Sequence, residues 1–213
     1  MKALLIYSGG LDSTTLLYEY KDSIALAVTF DYGSKHNARE IAYAVENCKR
    51  LGIKHLVIPL AFIGQYFKSD LLLSGGDIPE GSYADENMKS TVVPFRNGIM
   101  LAVAAGLAES YELDAIMLAH PSGDHAIYPD CRPAFIDAFA AAVKAGTYNG
   151  VQVISPYCNI NKRDIALRGK AIGLDYSLTY SCYKGGEKHC GKCGTCVERK
   201  EALAGFDPTI YEE

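Results

Sequence analysis

The sequence predicts an α/β protein, a doubly wound and mostly parallel sheet of Rossmann-like type with helices on both faces. Three observations carry that expectation. Short apolar runs of strand length alternate with segments whose apolar residues recur every three or four positions. One of the runs, Ser23 to Phe30, is apolar almost throughout, as suits a parallel strand buried on both faces. The first run stops at Ser8-Gly9-Gly10 and leads straight into a helical pattern, the kind of strand-to-helix junction at which such sheets hold ligands.

Taken in order, Lys2 to Tyr7 is the first strand and Leu11 to Tyr20 the first helix, with Leu11, Thr14 or Thr15, and Tyr18 at helical spacing. Ser23 to Phe30 follows as the second strand and ends in Asp31-Tyr32-Gly33. Lys35 to Leu51 carries Ile41, Val45 and Cys48 on one helical face, Gly52 stops it, and His55 to Leu60 is the third strand. Asp70 to Ser90 is rich in Gly, Ser and acids and has no period, which predicts a long mobile loop over a site. A helix with Ile99, Val103 and Leu107 begins after Arg96-Asn97, and Ala115 to Ala119 is the next strand. A helix over Phe135 to Val143, a short strand over Gln152 to Ile154 and a helix from Asp164 to Ile172, closed by Gly173, complete the alternation. Residues 1–180 thus form the α/β unit, and 181–213 an appended segment of the same compact body.

At 213 residues, 49% of them hydrophobic, the chain is able to close one sizeable core. A net charge of −4 gives no basic footprint for a long nucleic acid, and the apolar run from Met1 to Tyr7 is too short for a membrane span or a signal-peptide core. The expectation is a cytoplasmic protein acting on small molecules, with no direct nucleic-acid or membrane partner.

Ser8-Gly9-Gly10-Leu11-Asp12-Ser13-Thr14 is built to hold an anion. Two consecutive glycines let the backbone turn and approach a ligand closely, so that the first-turn N–H groups and the hydroxyls of Ser8, Ser13 and Thr14 face phosphate oxygens. Neither of the two common nucleotide loops is present. Gly169-Lys170 is followed by Ala171 and Gly191-Lys192 by Cys193, so there is no G-x-x-x-x-G-K-[ST], and G-x-G-x-x-G is absent too. The bland alternative is a Gly-Gly turn capped by Ser and Asp.

Cys182, Cys190, Cys193 and Cys196 crowd into one short segment with Gly185, Gly186, Gly191 and Gly194. Four thiolates on a pliable segment suit Zn²⁺, which is d¹⁰ and content with a closed tetrahedral S₄ shell, and such a site is structural. Lys184, Lys188, Lys192, Arg199 and Lys200 offset the surplus negative charge. An iron–sulfur cluster or a redox dithiol would use the same ligands, although nothing else in the chain points to electron transfer. His189 is a strained substitute for one sulfur. Cys48 falls on an apolar stripe and reads as core.

Three further segments bear on chemistry. Val93-Pro94-Phe95-Arg96-Asn97 opens a helix, with Arg96 near an N-terminus where an anionic ligand is also favoured; a solvated arginine is the alternative. Gly123-Asp124-His125 and Tyr128-Pro129-Asp130-Cys131-Arg132 follow the strand ending at Ala119-His120. One carboxylate there accepts from a guanine-like N–H edge and Arg132 holds a carboxylate bidentately, unless Pro-Asp-Cys-Arg is a helix cap with Asp130 accepting from backbone amides. A covalent role for Cys131 is disfavoured, because the thiol has no assigned base. Lys162, after Asn161 at a late helix start, reaches a phosphate or is merely exposed.

S-G-G-x-D-S-T is similar to the PP-loop of the ATP pyrophosphatases, which cleave ATP between its α and β phosphates. With V-P-x-R-N, Y-P-D-C-R, N-K and S-C-Y-x-G-G…C-G-x-C-x-x-C-x-x-R, in this order from Tyr7 to Arg199, it resembles the 7-cyano-7-deazaguanine synthase family. The resemblance implies an adenine nucleotide α-hydrolase-like fold, often as a homodimer. It implies ATP-dependent conversion of 7-carboxy-7-deazaguanine and ammonia to the nitrile precursor of queuosine and archaeosine. It further implies ATP contacts from Tyr7, Ser8, Gly9, Gly10, Leu11, Asp12, Ser13, Thr14, Thr15, Leu16 and Leu17, and zinc on Cys182, Cys190, Cys193 and Cys196. Beside these, Asp12, Arg96, Asp130 and Lys162 are candidate catalytic residues, and Arg96, Asn97, Asp124, Tyr128, Asp130 and Arg132 candidate substrate contacts. Tyr32 and His36 meet the family's Tyr-x-x-x-His pattern, whereas Ala119 to His125 departs from the usual run before Y-P-D-C-R. If that segment touches the base, the substrate or end product could differ, for example by stopping at the amide. A PP-loop amide synthetase, a tRNA thiolase and a zinc-ribbon binding module are the competing readings.

The chemistry follows from the leaving group. A carboxylate does not react with ammonia at neutral pH because oxide would have to leave, and AMP transfer supplies a better group. With Mg²⁺ bridging the phosphates, the carboxylate attacks the α-phosphorus while Arg96 or Lys162 stabilises developing charge, and ammonia then displaces AMP. A second activation, on the amide oxygen, leaves the nitrile. Asp124, Asp130 or His125 is the general base.

Overall fold

The computed structural model describes residues 1–82, 86–122 and 128–212. Among them, five parallel strands, β1 (Ala3–Ile6), β2 (Ile24–Asp31), β3 (Lys54–Pro59), β4 (Ala115–Met117) and β5 (Gln152–Ile154), form a sheet in the order β3-β2-β1-β4-β5. The chain winds outward from β1 to β3 and then returns to build β4 and β5 on the other side. The order therefore reverses between β1 and β4, which opens a crevice beyond their carboxyl ends. The helices are α1 (Leu11–Glu19), α2 (Asn37–Leu51), α3 (Ala61–Tyr66), α4 (Arg96–Ser110), α5 (Pro133–Gly146), α6 (Lys162–Ala171) and α7 (Gly194–Ala202).

Alternation along β1 produces the two-sided core. Ala3, Leu5 and Tyr7 enter a cluster with Leu16 and Leu17 of α1, Cys48 of α2 and Ile165 of α6, while Leu4 enters the opposite cluster with Leu101, Ala104 and Ala108 of α4. Leu4 and Leu5 are both fully buried, and each such side chain contributes about 1.5–3 kcal/mol. Every predicted strand and helix is present, with small shifts at the ends. Gly52 ends α2 in the left-handed region at φ 66°, its N–H donating to the carbonyls of Cys48 and Lys49, and Gly173 follows α6 at φ 77°.

Three features depart from the sequence expectation. α3 is a short extra helix after β3. The segment expected as a mobile loop packs into the core: Leu71, Leu72, Ile78 and Met88 are buried, Lys35 Nζ donates to the carbonyls of Asp70 (2.6 Å), Gly75 (3.3 Å) and Gly76, and Glu86–Thr91 winds into a 3-10 turn. Its apolar residues follow no period, yet Leu71, Leu72 and Ile78 join the main core and Met88 packs with Tyr128 and Cys131, while Leu73 stays exposed. α7 is the third departure; it runs through the cysteine segment, packs on α6, and carries Cys196 into the same apolar cluster as α4. The stretch Glu86–Ser110 has a mean hydropathy of 1.4 over its most apolar window, but Phe95 (φ 53°) breaks it, and α4, 15 residues long, packs on β1 and β4 as a core helix.

Candidate active site

The crevice at the β1/β4 switch is floored by the loop between β1 and α1. Gly9 has φ +84°, and a Cβ there would lie 2.6 Å from the Glu40 carbonyl oxygen and 3.1 Å from the Ala44 nitrogen, so only glycine lets the loop lie against α2. Gly10 caps α1 with no side-chain hydrogen bond, which leaves the first-turn N–H groups and the positive end of the helix dipole for an anion. Ser8 Oγ accepts from the Gly10 N–H (3.2 Å) and lies 3.0 Å from Ser13 Oγ. Thr14 and Thr15 face elsewhere. Thr14 Oγ1 is 3.1 Å from Tyr7 OH, and Thr15 Oγ1 donates to the Leu11 carbonyl (2.9 Å) and meets Tyr176 OH (2.9 Å). These buried hydroxyls lock the loop from behind, and Leu16 and Leu17 are core residues.

Above the loop is an open cleft with about 1170 Å³ free of protein atoms, solvent at its mouth included. Tyr7, Ser8, Gly10, Leu11, Asp12 and Ser13 line it, together with the starts of α2, α4, α6 and α7 and residues 118–120 after β4. Asn161 caps α6 by accepting from the Asp164 N–H (2.8 Å), which sets Lys162 at the helix start. Lys162 Nζ lies 3.3 Å from Asp12 Oδ2 and 2.5 Å from Glu198 Oε2. Burial pushes the Asp12 carboxyl above the usual carboxylate range, and the Lys162 ammonium works against that shift. Asp12 Oδ1 is buried with no hydrogen-bond partner, a donor atom suited to a divalent cation beside bound phosphate.

Arg96 stands across the cleft in a cage of phenols. Phe95 before it occupies the left-handed region, and its ring lies across Gly98, where a Cβ would come 2.4 Å from Phe95 Cε1. Arg96 NH1 donates to Tyr32 OH (3.0 Å), and the guanidinium sits 5.4 Å from the Tyr32 ring centroid and 5.9 Å from that of Tyr128. Tyr128 OH is 3.1 Å from Tyr183 OH, and the Tyr183 ring pairs with that of His36 at 5.2 Å. A caged guanidinium with flanking rings is able to pair with a carboxylate while a planar heterocycle stacks beside it.

The Y-P-D-C-R segment divides its work. Asp130, 6% exposed, accepts the Asn97 N–H (2.8 Å) and so caps α4, while Asn97 Nδ2 donates to Cys131 Sγ (3.1 Å). Asn97, Tyr128 and Cys131 line the cleft; Asp130 lies behind it, and Arg132 is exposed at the start of α5. Asp124 and His125 lie outside the described residues. Sequence reasoning gave no site role to Glu40, Tyr183, Thr195 and Glu198, and read Arg199 only as a charge offset beside the cysteines. The available signal was spacing: Glu40 is one turn on from His36, and Thr195, Glu198 and Arg199 share a face of α7. Arg199, 1% exposed, donates to Thr209 Oγ1 (2.7 Å), Thr179 Oγ1 (2.8 Å), Ser181 Oγ (3.0 Å) and the Tyr176 carbonyl (2.7 Å), which braces α7 against the chain that leads into it.

The four cysteines meet behind this wall. Their Sγ atoms all lie within 4.8 Å of one another and all four residues are buried. Cys190 Sγ and Cys196 Sγ are 3.9 Å apart, close to the ~3.8 Å edge of a tetrahedron whose metal–sulfur bonds are about 2.3 Å. The Cys190 N–H points at Cys182 Sγ (3.4 Å), and the N–H groups of Lys192 and Cys193 at Cys190 Sγ (3.5 and 3.3 Å), donors that steady thiolates. The cluster fits a metal ion such as zinc. His189 is engaged elsewhere, its Nε2 accepting the Ser181 N–H (3.1 Å).

A sequence profile for the queuosine biosynthesis protein QueC matches residues 2–207. The chain belongs to the QueC family. The 7-cyano-7-deazaguanine synthase of Porphyromonas gingivalis is 66% identical over 213 residues, covering 99% of this chain and 97% of its own. That of Desulfotalea psychrophila is 53% identical over 214 residues and 98% of both chains. Among solved structures, NMN synthetase from Francisella tularensis matches with a TM-score of 0.51 over 87% of this chain and 68% of that one, at 12% identity, a likeness of fold alone. The QueC match takes in the loop between β1 and α1, the Arg96 cage and the cysteine cluster together.

Proposed function

We propose that the chain is a 7-cyano-7-deazaguanine synthase, converting 7-carboxy-7-deazaguanine and ammonia to the nitrile at the expense of ATP. Beyond family membership, one observation carries this reading: the uncapped phosphate loop and the caged Arg96 open into the same cleft. A shared cleft supports a reading in which nucleotide phosphates and a planar carboxylate meet there. In this reading Ser8, Gly10 and the first turn of α1 bind the pyrophosphate half of ATP, Arg96 pairs with the 7-carboxylate, and Tyr32, Tyr128 and Tyr183 take the ring. Lys162 balances phosphate charge. Asp130 acts at one remove, by holding the start of α4. Mg²⁺, with Asp12 as its protein ligand, would neutralise charge on the departing pyrophosphate. Zinc on Cys182, Cys190, Cys193 and Cys196 is structural and fixes α7 against the cleft.

Both oxygens of the carboxylate must leave. Each departs as a phosphate oxygen of AMP once its C–O bond breaks, so the balanced reaction takes two ATP to two AMP and two pyrophosphates per nitrile. The two activations place AMP on oxygens of one carbon, and a single site serves both. Incubation of the protein with the carboxylate, ammonium and labelled ATP is expected to give the nitrile by mass with AMP and pyrophosphate in twofold amount. ADP as the sole nucleotide product, or no nitrile, overturns the reading, and accumulation of amide alone moves it to an amide synthetase.

The same reading places the chain in the cytoplasm as a homodimer, with no direct nucleic-acid or membrane partner. Support for the dimer comes from small and apolar residues left exposed on α4 and α5: Phe95 is 57% exposed at the start of α4, and Ala102, Gly106 and Ala138 are exposed as well. Sedimentation is expected to give a two-chain species that Ala102→Arg converts to one chain. A wild-type protein that sediments as one chain overturns the dimer.

A further inference from the structure

Glu40 is a largely enclosed acid, its side chain 14% exposed, that the steps above leave unused. It sits in the first turn of α2 and lines the cleft, and its Oε1 is 4.0 Å from the position a Cβ on Gly10 would take, so the carboxyl lies beside the phosphate loop. The other carboxylate among the described lining residues, Asp12, is bound to Lys162. No hydrogen bond among the described residues engages the Glu40 side chain. The groups that face it are His36, with Nε2 3.5 Å from Glu40 Oε2, Arg96 from α4, and Tyr32 after β2. His36 Nδ1 is itself buried without a hydrogen-bond partner.

We propose that Glu40 is the proton acceptor for the nitrogen chemistry of this site, a catalytic base distinct from the phosphate-binding and carboxylate-binding residues. The inference rests on the proposed function. Burial pushes the Glu40 carboxyl up to about 8, with the Arg96 charge working against the shift, so the group titrates near working pH and both takes and returns a proton. Burial pushes His36 down to about 3, which keeps the neighbouring imidazole neutral. The proton balance is explicit. Ammonium gives one proton to the carboxylate, the freed lone pair forms the C–N bond at the acyl adenylate, and the C–O bond to AMP breaks with its electron pair staying on the phosphate oxygen. A second proton then leaves the nitrogen to give the neutral amide. In the second round the adenylated amide loses its two N–H protons in turn as the C–O bond breaks and the triple bond forms, and Glu40 passes each proton to solvent before taking the next.

Replacing ammonium by hydroxylamine isolates this role, because hydroxylamine is already neutral at pH 7 and needs no base before it attacks. Glu40→Gln is expected to lose about 10²–10⁴ in amide formation from ammonium. It should form hydroxamate from hydroxylamine within severalfold of wild type and keep carboxylate-dependent exchange of pyrophosphate into ATP. Equal losses with both nucleophiles, or an ammonium reaction at the wild-type rate, overturn the proposal. A wild-type enzyme that makes no nitrile sinks the proposed function instead. Stability provides an independent check. With its folded pKa raised above the ordinary 4.5 to about 8, Glu40 costs the fold stability as pH rises through that window. The Gln variant is therefore expected to melt no lower than wild type at pH 8.5, and a lower melt marks Glu40 as structural and overturns the role.

Discussion

Arg96→Ala is expected to lower kcat/KM for the carboxylate by about 10²–10³, the usual cost of removing one preorganised donor to developing charge. The size follows from the cage. Tyr32 holds one guanidinium nitrogen at 3.0 Å, and the Tyr32 and Tyr128 rings flank its plane, so the group is aimed before substrate arrives and loses little freedom on binding. Arg96→Lys should recover only a small part of the loss, since an ammonium supplies the charge without the planar fork that grips a carboxylate in two places. Steady-state nitrile formation, with carboxylate binding followed by calorimetry, separates the effect on affinity from that on turnover. An alanine variant within threefold of wild type would remove Arg96 from the chemistry.

Loss of the metal is the other large effect. Wild-type protein is expected to carry one zinc per chain by elemental analysis, and Cys193→Ser or exhaustive chelation to lower Tm on the order of 10 °C. The four sulfurs occupy the same apolar cluster as α4, so freeing them exposes core as well as breaking metal bonds. Because α7 carries Glu198 to Lys162 at 2.5 Å, the metal-free protein should also lose the thermal protection that ATP confers. Unchanged melting and unchanged protection by ATP after complete zinc removal would contradict this assignment.

The sheet, its order of elements and the glycine turn between β1 and α1 were legible in the chain because each rests on a local pattern: apolar runs, helical spacing, a Gly-Gly pair at a strand end. α7 was hidden, since glycine and cysteine replace the apolar period over Gly194 to Cys196, and its helix is held by the cysteine cluster and by Arg199 rather than by propensity. Asp130 looked equally like a ligand residue and a cap. Its amide partner, Asn97, lies 33 positions earlier, and no local pattern announces such a pairing. Phe95 gives no warning of its left-handed backbone, which makes sense only once Gly98 is seen to leave room for the ring. Thr14 and Thr15 have the right chemistry for phosphate, but they belong to the buried face of α1 and are spent on Tyr7 and Tyr176.

The closeness of Gly9 to α2 ties two tasks to one residue. The carbonyl that backs Gly9 belongs to Glu40, whose side chain fronts the cleft a few ångströms from Gly10. The backing of the proposed nucleotide site and the proposed proton store are thus the main chain and side chain of a single amino acid. An engineer who widened the loop at residue 9 to change nucleotide preference would press on residue 40 as well, and would retune proton affinity without having touched an ionisable group.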